Sequence, residues 1–211
     1  MRLFTPGTLE FLARAPYEDR QWLADNRAVY EEQVLGPQRD LIEALSDVMR
    51  SLDPNLEGTA SRIYKDMRFH RGGPPLRGNI WVTFQDRNLD PGERPAFFFE
   101  LYPDRHRYGM GFYLAGSSKM DRIRRAIDAN PARFASLVDG LPTDYQLMGD
   151  SYKKSRSAHL PERLRPWYDR KSFWIQVEQP NDGRVLGQGL AEHLQHEWFT
   201  CTDLYHFVRQ A

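Results

Sequence analysis

The feature that most constrains this chain is a change of period. Up to residue 52 apolar residues recur at helical spacing, with Trp22, Asn26, Val29, Tyr30 and Val34 on one face and then Leu41, Ile42, Leu45, Val48, Met49 and Leu52 on another. Gly36-Pro37 interrupts the first pattern, because proline cannot donate an interior helical hydrogen bond, and Asp53-Pro54 ends the second. Between residues 61 and 114 the period becomes two: Ile63, Met67 and Phe69 alternate with Arg62, Tyr64, Asp66 and Arg68, and Ile80, Val82 and Phe84 follow. This predicts four strands, over 61–69, 79–85, 96–102 and 107–114, the last two joined by a short Pro103-Asp104-Arg105 hairpin. Helical spacing returns over 117–130 and 131–138, with a short helix within 161–168. A fifth strand covers 173–178, and a final helix covers about 187–208 with Leu190, Leu194, Trp198, Cys201, Tyr205 and Val208 as its buried stripe. Amphipathic helices and half-polar strands each need the other's apolar face, so the expected class is α+β: an antiparallel or mixed sheet of about five strands, packed with helices from both ends of the chain.

The 211 residues carry 12 Phe, 10 Tyr and 5 Trp, enough large rings to fill a sizeable core. No repeat or linker divides them, and a single domain over 1–211 is expected. The one cysteine, Cys201, excludes an internal disulfide and any Cys-rich metal motif. The longest apolar runs are only a few residues, so no membrane span is expected and the cytoplasm is the expected location. Net charge is zero but unevenly spread: −5 over residues 1–60, +8 over 61–171 and −3 over 172–211. Either acidic helices neutralise the basic middle, or part of that middle lines an anion site. Zero overall charge argues against a general nucleic-acid binder.

Alternation places Arg62, Tyr64, Asp66 and Arg68 on one face of the 61–69 segment. Two readings stand. In one, Asp66 holds both arginines and Tyr64 closes a structural network. In the other, the arginines bind a carboxylate or phosphate bidentately, with Asp66 orienting them or acting as a base. Arg77 and His70 belong to the Gly/Pro-rich loop that follows, and Lys153, Lys154 and Arg156 form a second basic cluster. The anion reading therefore has Arg62, Tyr64, Arg68, Arg77, Lys153 and Lys154 as ligand-binding residues, with Asp66 and His70 as the titratable candidates for catalysis.

The segment SRIYKDMRFHRGGPPLRGNI (61–80) resembles the hallmark of a bacterial and fungal family, domain of unknown function 2461, whose members carry Arg-Ile-Tyr-Arg-Asp-x-Arg-Phe before a loop ending in Pro-Tyr-Lys. Arg62, Tyr64, Asp66, Arg68 and Phe69 match that hallmark, and Lys65 keeps the charge of the usual second arginine. The loop departs from it: Gly72-Gly73 replace Asp and Lys, Leu76 stands for Tyr and Arg77 for Lys. Trp22, Pro37 and the stretches at 109–127 and 152–174 extend the resemblance to nearly the whole chain. It implies no activity.

Other chemistries find little support. His193 and His196 lack the i, i+4 spacing of a zinc-protease helix, and no dinucleotide or phosphate-loop fingerprint is present, so neither a metal nor a tightly bound cofactor is expected. No Gly-x-Ser-x-Gly elbow occurs. Asp66 and Glu100 on neighbouring strands are a conceivable carboxylate pair. The leading expectation is a site for a small phosphate- or carboxylate-bearing ligand, with or without catalysis. The alternative is a non-catalytic module, binding protein or nucleic acid, in which the Arg/Asp/Tyr network is structural.

Overall fold

The computed structural model describes residues 4–66 and 73–211. The N-terminal region holds α1 (Pro6–Arg14), α2 (Arg20–Asp25), α3 (Arg27–Tyr30) and α4 (Gly36–Leu52), followed by the strand β1 (Leu56–Ala60). Strands β2 (Ile80–Asp86), β3 (Ala96–Leu101) and β4 (Arg105–Gly111) come next. After them lie α5 (Ser117–Ala129), α6 (Pro131–Asp139), β5 (Gln146–Met148), α7 (Arg165–Tyr168), β6 (Trp174–Pro180), α8 (Leu190–Thr200) and α9 (Thr202–Gln210). The strands form one open antiparallel sheet of six in the order β1-β2-β3-β4-β6-β5, one strand more than expected.

Gly36-Pro37 does not break the helical path. One π-helical turn, Glu31–Leu35, carries the backbone directly into α4, with Pro37 in its first turn. The carbonyl to which an ordinary residue 37 would donate is that of Gln33. It accepts instead from the buried Thr8 Oγ1 of α1 at 2.6 Å, while Thr5 Oγ1 bonds the Gln33 side chain at 2.6 Å. The proline is thus absorbed by a local change of pitch and a hydroxyl from the neighbouring helix.

Chain contacts divide the molecule into two compact units. The first takes in the chain up to Phe84, Phe98–Tyr108 and Glu178–Gln195. In it α4 packs on β1, and the rings of Phe11, Trp22 and Tyr30 cluster at 5.0 and 5.9 Å. Alternate residues of β2 (Ile80, Val82, Phe84) and of β3 (Phe99, Leu101) are buried, which leaves Trp81, Phe98 and Glu100 on the opposite, half-exposed face. The second unit is Gln85–Phe97, Gly109–Val177 and His196–Ala211. Its core is aromatic: Phe134 meets Trp167 and Phe207, Trp167 meets Phe173, and Phe97 lies against Trp198 and Tyr205. Gly149, at φ 108°, turns the chain out of β5 in a conformation that disfavours a side chain.

Three expectations change. The described part of the 61–69 segment is not a strand of the sheet. Residues 61–66 are extended, with Ser61 and Ile63 buried and Arg62 and Tyr64 exposed, but the segment forms only an isolated bridge, Tyr64 with Leu76. The alternation was real, but it reflects an extended segment laid on the core, not a laddered strand. The first strand is instead Leu56–Ala60, and the final helix divides at Cys201 into α8 and α9. All six residues of the expected stripe are nonetheless buried, whereas Val29 of the first helical pattern is 43% exposed.

Candidate functional site

The best-built polar surface of the first unit grows from a short antiparallel pairing. Ser61 and Trp81 exchange backbone and hydroxyl hydrogen bonds at 2.8 Å, Arg77 N–H donates to Ile63 O at 2.8 Å, and Lys65 N–H donates to Pro75 O at 2.8 Å. The buried Gln38 amide fixes the base of this pairing by donating to Ser61 Oγ at 3.2 Å and to Trp81 O at 3.0 Å. Ile63 and Leu76 are buried at 1% and 0% exposure, while Arg62 and Tyr64 are exposed.

The pairing carries several basic residues. Arg77 donates to Tyr64 O at 3.1 Å and lies over the Trp81 ring at 4.9 Å. Arg20, reaching from α2, lies 5.9 Å from the Tyr64 ring centre, and Lys65 Nζ donates to Pro74 O at 3.0 Å. Arg62 is exposed one residue before Ile63. None of Arg20, Arg62, Lys65 and Arg77 is paired with a carboxylate among the described residues. In the same unit Arg14, Arg27, Arg39, Arg50, Arg105, Arg107 and Arg184 each meet one.

Beside this cluster, on the half-exposed face of the sheet, Glu100 gathers a polar network. Its Oε1 accepts from Asn79 Nδ2 at 2.6 Å and from Tyr102 OH at 2.8 Å, and its Oε2 lies 3.7 Å from Arg107. Arg107 also donates to Glu178, and Tyr102 carries Arg105 and Arg107 over its ring at 4.2 and 5.1 Å. Burial, with the hydrogen bond to Glu100, pushes the Tyr102 phenol up to about 12, so it remains a hydroxyl donor at neutral pH. Glu100 is thus partnered by Asn79, Tyr102 and Arg107. Of this hydrogen-bonded network, only Glu100 was singled out from sequence. The signal lay in the outward positions of the alternating strands, but only strand register brings Asn79, Glu100, Tyr102 and Arg107 together.

Lys153 and Lys154 lie in the second unit, both exposed, on a loop pinned by the bridge Ser151 with Arg170. Asp169 holds this loop, accepting from Arg156 N–H at 2.8 Å and Ser157 Oγ at 2.9 Å. Burial raises the Asp169 carboxyl, but those hydrogen bonds outweigh it and hold the group below its ordinary value. Arg124, Arg156 and Lys171 surround the Tyr152 ring at 5.3, 4.0 and 5.9 Å. Elsewhere in this unit Asp128 accepts from Tyr168 OH at 2.8 Å and lies 2.9 Å from His159 Nε2. Ser157, the nearby hydroxyl in sequence, is directed to Asp169, so no Ser-His-Asp relay forms there. Burial pushes the Cys201 thiol up to about 11, which suits a packing residue and not a nucleophile.

Of the residues expected to form the site, the structure brings Tyr64 and Arg77 together, leaves Arg62 exposed, and leaves Asp66 half-buried at the end of the described segment. Arg68 and His70 lie outside the described residues. Arg20 was missed, since nothing in a helical pattern shows which remote segment its side chain reaches. His196 is exposed. Among the described residues, no group of three or more His, Cys, Asp or Glu is placed to hold a metal ion, and no helix is long and apolar enough to cross a membrane. A comparison with curated proteins gives no match. A family model described as "Conserved hypothetical protein (DUF2461)" matches residues 7–207. The hallmark at Arg62–Asp66, the flanking segments and this match over almost the whole length agree: the chain belongs to the DUF2461 family.

Proposed function

We propose that the chain binds a small anionic ligand, phosphate- or carboxylate-bearing, beside the Tyr64–Leu76 bridge of its first unit. The observation that carries this is the set of cations there, Arg20, Arg62, Lys65 and Arg77, none neutralised by a carboxylate among the described residues. Guanidinium groups present paired donors in a plane that matches carboxylate and phosphate oxygens, so Arg62 and Arg77 are the principal ligand contacts. The Tyr64 hydroxyl is a further donor at the edge of the cluster, and Asp66 is its titratable group, the residue that would serve as a base if the bound ligand reacts. Lys153 and Lys154 belong to the other unit, and the proposed site does not use them. We take the chain to work in the cytoplasm; a lone, buried Cys201 suits a reducing compartment.

Thermal denaturation at constant ionic strength, with inorganic phosphate, citrate or chloride, tests this. A ligand that binds only the folded state stabilises it by RT ln(1 + [L]/Kd), roughly 2.7 kcal/mol at a hundredfold excess over Kd. Phosphate or citrate is expected to raise Tm for the wild type, and Arg62→Ala and Arg77→Ala are expected to abolish most of the rise. An equal rise in wild type and both variants contradicts the assignment.

A further inference from the structure

Arg77 of the proposed anion site lies over Trp81 of the half-exposed sheet face, and that face has a chemistry of its own. Arg77 belongs to both: its guanidinium serves the basic cluster and lies 4.9 Å over Trp81. Beyond Trp81 the charges are paired: Glu100 meets Arg107, and Glu178 meets both Arg105 and Arg107. Asn79 and Tyr102 both donate to Glu100, and Glu100 and Glu178 supply two carboxylates.

A ligand lying along this surface meets unpaired arginines at one end and a paired, hydrogen-bonded polar network at the other. A second phosphate or a nucleic-acid backbone finds no unpaired cation there, because Arg105 is held by Asp104 and Glu178 and Arg107 by Glu100 and Glu178. A second cation is not called for either, since Arg107 already lies 3.7 Å from Glu100 and donates to Glu178. The capacity left over is for neutral donors. A carboxylate has about four lone-pair sites, and Oε1 of Glu100 uses two of them on Asn79 and Tyr102, which leaves Oε2 beside Arg107. Asn79 retains an acceptor oxygen beside its donor, and the Tyr102 oxygen accepts as well as donates. Such a set matches neighbouring hydroxyl groups, each of which gives one hydrogen bond and takes others. The half-buried rings of Trp81 and Phe98 supply the flat apolar surface on which the C–H face of a sugar ring rests.

We infer that the anionic ligand is a phosphorylated sugar, its phosphate held by Arg62 and Arg77 and its vicinal hydroxyls by Glu100 and Asn79 on the open face of the sheet. This rests on the anion site proposed above and adds the identity of the body attached to the anion. Glu100 and Asn79 are binding residues in this reading, and Tyr102 and Arg107 position Glu100.

Calorimetric titration of the full chain with inorganic phosphate, glucose 6-phosphate, ribose 5-phosphate and glucose separates the two claims. Each net hydrogen bond is worth severalfold in affinity, so two or more new ones are expected to make at least one sugar phosphate bind about tenfold or more tightly than inorganic phosphate. Glucose alone is expected to bind far more weakly than its phosphate. Glu100→Gln keeps the size and one acceptor and leaves Arg107 its contact with Glu178, so the fold is expected to persist. This variant and Asn79→Ala are expected to bring sugar phosphate down toward inorganic phosphate while leaving inorganic phosphate unchanged. If sugar phosphates bind no more tightly than phosphate, or if the advantage survives in both variants, the sugar assignment is wrong and the anion site stands. If neither phosphate nor sugar phosphate binds, both fail.

Discussion

Thr8 shows how one hydroxyl settles a local conflict. It is fully buried, and its Oγ1 donates to the Gln33 carbonyl opposite Pro37. Thr8→Val keeps the shape and removes that bond together with the one Thr8 Oγ1 accepts from Thr5 N–H at 3.0 Å, so urea denaturation is expected to show a loss of roughly 1–3 kcal/mol; a loss well below this would mean that other groups serve both partners. His106 is a second such residue, 2% exposed among the rings of Phe99 and Tyr108. Burial lowers its pKa, the neighbouring His193 and Arg184 add to this, and Asp182 and Asn181 pull the other way without restoring the ordinary value. The folded state therefore resists protonation that the unfolded chain accepts near pH 6.5, so stability is lost as pH falls below about 6.5 toward the folded value. Between about pH 7.5 and about pH 5.5 the wild type is expected to lose more stability than His106→Phe. Equal losses would remove His106 from the account.

Among the elements, β1 and α4 meet through Gly58. A Cβ there would run into Ile42 Cγ2 and come within 3.0 Å of Phe84 Cε1. Gly58→Ala is accordingly expected to destabilise by roughly 1–3 kcal/mol through overpacking. Ile42→Ala in the same chain should recover part of that loss, because the two residues share one space. Additive losses in the double variant would show that the clash lies elsewhere. The same strand shows why some elements were illegible. Leu56-Glu57-Gly58-Thr59-Ala60 has a single large apolar residue and a glycine, so no period of two stands out, and β5 is three residues long. The strands β2, β3, β4 and β6 were legible to within a few residues because each carries an alternating or continuous run of large apolar side chains. The 61–66 segment misled for a physical reason: alternation reports which side of an extended chain is buried, whereas a strand also needs a partner along its length, and here the described contact is one bridge to Leu76.

At the scale of the molecule, the uneven charge along the sequence becomes local structure. The acidic first sixty residues neutralise several of their own arginines through pairs such as Arg14–Glu18 and Arg27–Glu31. The basic middle does not wholly follow that pattern: Arg62 and Lys65 flank Tyr64 in sequence, Arg77 donates to its carbonyl and Arg20 lies over its ring, without a described carboxylate. The motif was legible as Arg62, Tyr64 and Asp66, but the bridge that sets Arg77 beside Tyr64 and the reach of Arg20 come from folding. Lys153 and Lys154, grouped with the motif by charge alone, belong to the second unit. The most direct measurement of the central claim is a titration of the isotope-labelled chain with inorganic phosphate, followed by amide chemical shifts. The account predicts saturable shifts concentrated at Tyr64, Lys65, Leu76 and Arg77 and lost in Arg62→Ala. Shifts centred on Lys153 and Lys154, or none above those produced by chloride, would contradict it.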